Sequence, residues 1–410
     1  MEVNILKKLL VVLGVVLLLI ILGIVLFSRF SGTGIRLTDG RYVGYSEITN
    51  EWLLMEYQNV PIGLDGPYVF EQDNAYFALT LASDIHGQNS VEKQALTHQV
   101  QVTVDSPAKA QFSVPLRHSY PRSELEYAMP DKLLAISDIE GNFDAFVDLL
   151  VANQVIDTSF NWIFGTGQLV LIGDMVDRGS NVVPVLWLIY KLEAEAEHVG
   201  GKLHYVLGNH ERYLLDGRTK SVARKYFGTY RATGQSQRAL WTEQSVLGRW
   251  LRSKPVALKV GDSLFVHGGI SPEVLATKPT LSSMDKEAAE SFVTHDTVNK
   301  NSDNSILHGS RGLLFYRGLA KDMSHYELGE KASSSHVAQL LDAFAVKRVA
   351  IGHTLTEQIG WDYNGGVIRV DVAHSDGVSE ALLMEDGALY RVNAEGERFA
   401  LTQISDEMLD

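Results

Sequence analysis

The sequence contains no cysteine among its 410 residues. Disulfides and thiolate ligands are thereby excluded, and any bound metal must rest on His, Asp, Glu or Asn. An oxidising compartment is compatible with that absence. Basic residues are also short: 36 Lys and Arg stand against 50 Asp and Glu, for a net charge of -14. That balance argues against a broad nucleic-acid surface, because phosphate backbones demand cationic side chains, and no nucleic-acid partner is expected. A phosphate substrate stays open, since bound metals can supply positive charge locally. Low-complexity tracts and internal repeats are absent. With 45% hydrophobic and 21% charged residues, the chain can bury a sizeable core.

Charge is missing altogether from Leu9 to Ser28, where nearly every residue is Leu, Val or Ile. A helix of about 20 residues reaches roughly 30 Å, the thickness of a hydrocarbon core. The length of the run and the poor cleavage site at Ser28-Arg29-Phe30 favour an uncleaved anchor over a signal peptide. Residues 1–30 are therefore expected to be a membrane anchor, spanning through 9–28. Lys7 and Lys8 favour a cytoplasmic start, which places the rest in an extracytoplasmic (periplasmic) space; Arg29, Arg36 and Arg41 weaken that bias.

Residues 31–130 read as a small β-rich accessory region. Gly32, Gly34, Gly40 and Gly44 punctuate its start, and Gln99 to Val104 alternate polar and apolar as a half-buried strand does. Pro115, Pro121 and Pro130 suggest a linker. From 131 to 410 the pattern is α/β. Apolar runs at Leu133–Ile136, Gln168–Ile172 and Leu203–Leu207 alternate with helical stretches at Phe143–Ala152 and Val182–Glu197, the latter with Glu193, Glu195 and Glu197 expected outward. Further apolar runs lie at Leu264–Val266, Val349–Ile351 and Val367–Val370, and Glu385-Asp386-Gly387 reads as a hairpin turn.

The polar residues gather where these runs end: Asp138-Ile139-Glu140-Gly141-Asn142, Gly173-Asp174-Met175-Val176-Asp177-Arg178-Gly179, Gly208-Asn209-His210-Glu211, His267-Gly268-Gly269 and Gly352-His353-Thr354. Strand carboxyl ends in open α/β sheets share one crevice. A set of carboxylates, an amide and imidazoles, without sulfur, suits Mn, Fe, Zn or Mg. Singly each cluster is a common turn or cap; their order and spacing together are not.

In that order the segments resemble the calcineurin-like metallophosphoesterases. Gly173-Asp174-x-x-Asp177-Arg178-Gly179 and Gly208-Asn209-His210-Glu211 are similar to the phosphoprotein phosphatase branch. Leu314-Phe315-Tyr316-Arg317-Gly318 and Ile368-Arg369-Val370-Asp371 resemble the bacterial-type, Shewanella-like protein phosphatases. The resemblance implies a two-sheet β-sandwich flanked by helices and two divalent metal ions. It implies Asp174 bridging both ions, Asp138 and Glu140 on the first, and Asn209, His267 and His353 on the second. His210 would be the general acid, oriented by Asp177, with Arg178 and Arg317 gripping phosphate oxygens.

The family has His where this chain has Glu140. Glu140 can ligate through oxygen, favouring harder ions such as Mg or Mn; it can leave the first site weak; or the first motif can lie at Ser83-Asp84-Ile85-His86-Gly87-Gln88. The short gap from Asp138 to Asp174 suits a compact crossover better than the long one from Asp84, so His86 reads as a turn residue of the accessory region. His308, His325, His336 and His374 read as surface or structural, and Trp241 and Trp250 as core. The basic stretch Gly217–Arg252 reads as a solvated face and Val298–Ser310 as a loop. The expected activity is hydrolysis of phosphate monoesters by a water held between the metals, with phosphoserine or phosphothreonine proteins as first choice and small phosphoesters also possible. A nucleotide hydrolase of the diadenosine tetraphosphatase kind and a membrane-tethered pseudophosphatase are the alternatives. Oligomeric state is left open.

Overall fold

The computed structural model describes residues 60–107, 109–293, 306–322, 324–326 and 330–401, the helical stretches 12–19 and 21–23, and the backbone of 35–36, 41–46 and 51–56. The rest of the apolar run 9–28 lies outside the described residues, as does 298–305 of the expected loop. Among the described residues no helix is long and apolar enough to cross a membrane.

Among the described residues of 31–130, the regular elements are all β-strands. Strands β1 (Ile35–Arg36), β2 (Arg41–Ser46) and β3 (Glu51–Glu56) form an antiparallel meander. A second meander joins β4 (Leu64–Gln72), β5 (Ala75–Ser83) and β6 (Asn89–Leu96), and β7 (Gln99–Thr103) pairs with β8 (Gln111–Pro115) as a hairpin. Alternation in β7 and β8 works as the sequence suggests: Val100, Val102, Phe112 and Val114 are buried while Gln99, Gln101, Gln111 and Ser113 are exposed. The proline-marked stretch after β8 is more than a linker. It carries β9 (Glu126–Tyr127), which pairs in parallel with a strand of the main domain.

Two six-stranded sheets make the main domain. One runs β12 (Lys202–Tyr205), β11 (Gln168–Leu171), β10 (Lys132–Ile136), β18 (Glu380–Glu385), β19 (Ala388–Asn393), β20 (Arg398–Ala400). The other runs β16 (Gly360–Asp362), β17 (Val367–Arg369), β15 (Arg348–Ile351), β14 (Ser263–Val266), β13 (Ala257–Val260), β9. Leu133, Ala135, Val170, Phe265, Ala350, Ile368 and Leu382 meet in the core between the sheets. The intervening residues Leu134, Ile136, Leu169 and Leu171 face a larger core shared with the helices. Both faces are covered, which is why these strands read as unbroken apolar runs.

β10, β11 and β12 are mutually parallel, as are β14, β15 and β17. Their carboxyl ends therefore open on one edge of the sandwich. Helices α1 (Phe143–Ala152), α2 (Val182–His198) and α3 (Asn209–Asp216) start there. α2 corrects one expectation. Glu193 does not face solvent; it meets Arg117 at 2.7 Å, Trp250 Nε1 at 2.9 Å and the Lys254 ammonium. The helix is packed on both sides, by the sheet and by the accessory region, with Trp187 Nε1 donating to Pro67 O at 2.9 Å. A carboxylate in that position survives only because two cations meet it.

Candidate metal centre and cleft

Strand ends deliver the site, and tight turns aim it. Asp138, Glu140, Asp174, Asp177, Arg178 and His353 all adopt positive φ, between 47° and 77°. Such left-handed backbone is costly for residues with a Cβ and collects where the surroundings enforce it. Two glycines allow the loops to touch: a Cβ on Gly208 would strike the Asp174 carboxylate, and one on Gly352 would strike Ser137 Oγ.

Glu211 clamps this arrangement, a role the sequence motif did not reveal. It is wholly buried and accepts from Gly208 N (2.7 Å), Asp174 N (2.9 Å), Met175 N (2.8 Å) and Tyr205 OH (2.8 Å). One carboxylate thus pins the ends of β11 and β12 together.

On one side Asp174, His267, His353 and Asn209 converge. Their donor geometry fits a cation. His267 Nδ1 lies 2.7 Å from Ile172 O, so its proton is used there and Nε2 is left as a lone pair. His353 Nε2 is likewise spent on Phe315 O at 3.1 Å, leaving Nδ1. The Asn209 side-chain oxygen then stands 3.0 Å from His267 Nε2, 3.3 Å from Asp174 Oδ2 and 2.7 Å from His353 Nδ1. Four lone pairs aimed at one another are relieved by a divalent ion; a turned amide presenting NH2 is the metal-free solution. Asp174, His267 and His353 each offer a ligand atom within 4.8 Å of the others.

On the other side Glu140, Asp174 and His210 make a second such group. Asp138 lies beside it, its Oδ2 held by Ser137 Oγ at 2.5 Å and His353 N at 3.1 Å. Burial raises Asp138 to about 6 and Glu140 to about 7, with other carboxylates adding to the rise. Asp371, at the end of β17, is raised by burial and by Asp138 to about 9. Crowded carboxylates of this kind are the expected partner of divalent cations. The expected ligands Asp138, Glu140, Asp174, Asn209, His267 and His353 are therefore in one place, and Asp371 joins them unanticipated. Glu140 also meets Arg178 NH1 at 2.9 Å, so the position where the resemblance implies a His carries a contact to that arginine as well.

His210 Nδ1 lies 2.7 Å from Asp177 Oδ2, which also accepts from Ser221 Oγ at 2.8 Å. The His210 Nε2 edge faces Asp174 Oδ2 at 3.8 Å. Burial works against a charged His210, but Asp174 and Asp177 outweigh it and raise its pKa above the ordinary imidazole value. Arg178, Arg317, His210, Asp174 and Asp138 line one cleft of about 620 Å³. Arg317 holds the His353 and Thr354 end of its loop through NH1.

Asp84 and His86 are elsewhere, in the exposed turn after β5, where Asp84 Oδ1 accepts from His86 N and Gln88 N at 2.8 Å each. Trp241 and Trp250 are core residues. His336 is buried, with Nε2 2.9 Å from Ile270 O. His374 is buried too, but in the cleft wall.

A family model described as calcineurin-like phosphoesterase matches residues 131–357. A crystal structure of a cold-active protein-tyrosine phosphatase from a psychrophilic Shewanella is similar, with TM-score 0.72 and 29% identity, covering 83% of this chain and 99% of that one. Shewanella-like protein phosphatase 2 of Arabidopsis thaliana is 24% identical over 302 residues, 63% of this chain and 75% of that protein. A symmetrical bis(5'-nucleosyl)-tetraphosphatase of Chromobacterium violaceum is 32% identical over 146 residues, 36% of this chain and 46% of that protein.

Proposed function

The chain belongs to the calcineurin-like phosphoesterase family and is a dimetal phosphoesterase, and from that premise we propose that it removes phosphoryl groups from phosphorylated proteins. The observation that carries this is the buried His210–Asp177 pair at 2.7 Å, opening on a cleft that also holds Arg178 and Arg317. An alkoxide leaving group needs a proton, and an imidazole kept charged by a carboxylate supplies one. Asp177 fixes the imidazole so that Nε2 points into the cleft. The planar forks of Arg178 and Arg317 would orient the phosphoryl oxygens and neutralise charge that grows in the transition state. Asp138, Glu140 and Asp174 would hold one divalent ion, and Asp174, Asn209, His267 and His353 a second, drawn from Mn, Fe, Zn or Mg. When bound, such a pair supplies an acidified water nucleophile and a clamp for phosphate oxygens.

Phosphoserine and phosphothreonine proteins are the first choice. Phosphotyrosine is a second reading, favoured by the similarity to the Shewanella protein-tyrosine phosphatase, which aligns over nearly its whole length. Parallel assays on phosphoserine, phosphothreonine and phosphotyrosine peptides and on diadenosine tetraphosphate test the proposal. Peptide turnover well above that of the dinucleotide supports it; the reverse order overturns it. We further propose that residues 9–28 tether the enzyme to a membrane with the cleft on the extracytoplasmic side; protease accessibility in intact cells and in opened cells decides that.

A further inference from the structure

A segment outside every motif grips the loop that orients the acid. Asp177 and Arg178 are consecutive, and both adopt positive φ, at 77° and 47°. Side-chain-bearing residues hold that backbone only when their surroundings enforce it. Ser221 meets both. Its Oγ donates to Asp177 Oδ2 at 2.8 Å, and its carbonyl oxygen accepts from Arg178 N at 3.2 Å. His210 Nδ1 shares the same Asp177 oxygen at 2.7 Å. Asp177 Oδ1 is buried and has no hydrogen-bond partner among the described residues. The rotation of this carboxylate is therefore set at Oδ2, by Ser221 and His210 together. Without the Ser221 hydroxyl, His210 alone would hold it, and acid and carboxylate could turn about their common bond.

Ser221 is itself braced. It lies between α3 and α4 (Arg224–Thr233), in the basic stretch that the sequence suggests is a solvated face. α4 instead turns Tyr226, Gly228, Thr229 and Tyr230 inward. Tyr226 OH accepts from Val182 N at 3.0 Å, where the Asp177 loop runs into α2. Lys225 Nζ donates to Leu64 O at 2.6 Å and to Asp105 Oδ2 at 3.0 Å, and Thr229 Oγ1 donates to the buried Asp65 at 2.6 Å. Asp105 N donates to Asn181 Oδ1 at 3.1 Å, and Asn181 Nδ2 returns a bond to Asp105 O at 3.2 Å. The accessory region thus backs the helix that follows Ser221 and the far end of the Asp177 loop alike. A serine on a free turn would keep no fixed bearing on a buried carboxylate; this one is anchored through the packed helix beside it.

We propose that Ser221 is a positioning residue for the general acid: through Asp177 it fixes the His210 imidazole so that Nε2 faces the leaving oxygen. The Nε2 proton passes to that oxygen as the bond from phosphorus to the leaving group breaks. This rests on the reading of His210 as the acid and adds a third member to the His210–Asp177 pair. Ser221 does not line the cleft, so its influence on the leaving group runs through Asp177.

The test compares phenyl phosphate with p-nitrophenyl phosphate on the full chain loaded with Mn(II). Phenolate is the more basic leaving group and depends more on the acid. The ratio of the two kcat values therefore reads proton delivery, while metal content and the amount of folded enzyme cancel. Ser221→Ala is expected to lower the phenyl-to-nitrophenyl ratio about two- to fivefold, within the span of one hydrogen bond. In Asp177→Ala, where the acceptor is gone, adding Ser221→Ala should change the ratio no further. A ratio unmoved by Ser221→Ala, or one that falls as far in the Asp177→Ala background as in the wild type, overturns the positioning role. If Asp177→Ala and His210→Gln lower the ratio and Ser221→Ala does not, Ser221 alone is overturned. If all three leave it at the wild-type value, the acid reading falls with it.

Discussion

Replacing Asp177 by Asn separates general-acid chemistry from mere architecture. In the structure the Asp177 carboxylate holds His210 Nδ1 at 2.7 Å, and both side chains are almost fully buried. A hydrogen bond to a charged group in such surroundings is worth about 1.5–3 kcal/mol. At about 1.36 kcal/mol per factor of ten, the substitution should slow proton delivery by roughly 10- to 150-fold. Complete loss of the acid, in His210→Gln, should cost about 10²–10⁴. Those losses apply only where the leaving oxygen needs a proton. A serine alkoxide needs it most and a tyrosine phenolate less. The p-nitrophenolate of p-nitrophenyl phosphate is stable unprotonated near neutral pH, so its turnover should fall by less than about fivefold. The assay is steady-state kcat on a phosphoserine peptide, a phosphotyrosine peptide and p-nitrophenyl phosphate, with metal content measured on each variant. A graded loss, steepest for phosphoserine, is expected. An equal loss on all three, with metal content intact, refutes the assignment of His210 as acid.

Other outcomes follow from the same geometry. Glu140→His should preserve or raise activity and metal affinity if position 140 is a ligand; wild-type turnover in Glu140→Ala removes it from the ligand set. Glu211→Ala strips four donors of a common acceptor, so calorimetry should show a loss of about 3–5 kcal/mol and titration a weakened metal site; a loss under about 1 kcal/mol contradicts the clamp. His204 is buried and pushed down to about 3 by that burial. A depressed histidine pKa means the unfolded chain binds the proton better, so this stability is full above about pH 6.5 and is lost as the pH falls toward 3, costing about 1.4 kcal/mol at pH 5.5. The difference in stability between the wild type and His204→Gln should therefore shrink between pH 7.5 and 5.5; a pH-independent difference refutes it.

What could be read before any coordinates was set by local pattern. The strands of both parallel triplets are buried on two faces, so each shows as an apolar run, and each ends in a glycine, aspartate or histidine turn that stands out against it. α1 and two of the strands fall where the runs place them. What escaped depends on contacts distant along the chain. Asp105 meets Asn181 across 76 positions, and nothing in either neighbourhood announces it. Glu193 looks outward from its helical position because the Arg117 and Lys254 that receive it come from other segments. Asp371 was legible only as the end of a segment that carries the family resemblance, without a role of its own; its crowding by Asp138 and Glu140 exists only once the two sheets face each other. The Glu140–Arg178 contact is hidden for the same reason.

The central claim is that side chains from five strand ends form a pair of cation sites on which hydrolysis depends. The most direct measurement is elemental analysis of the purified chain, alongside p-nitrophenyl phosphate turnover, before and after chelation and after reloading with Mn(II). The account expects close to two ions per chain, activity that disappears with them and returns on reloading, and a stoichiometry that falls in Asp174→Asn. Undiminished turnover by a chain shown to hold no divalent ion contradicts it.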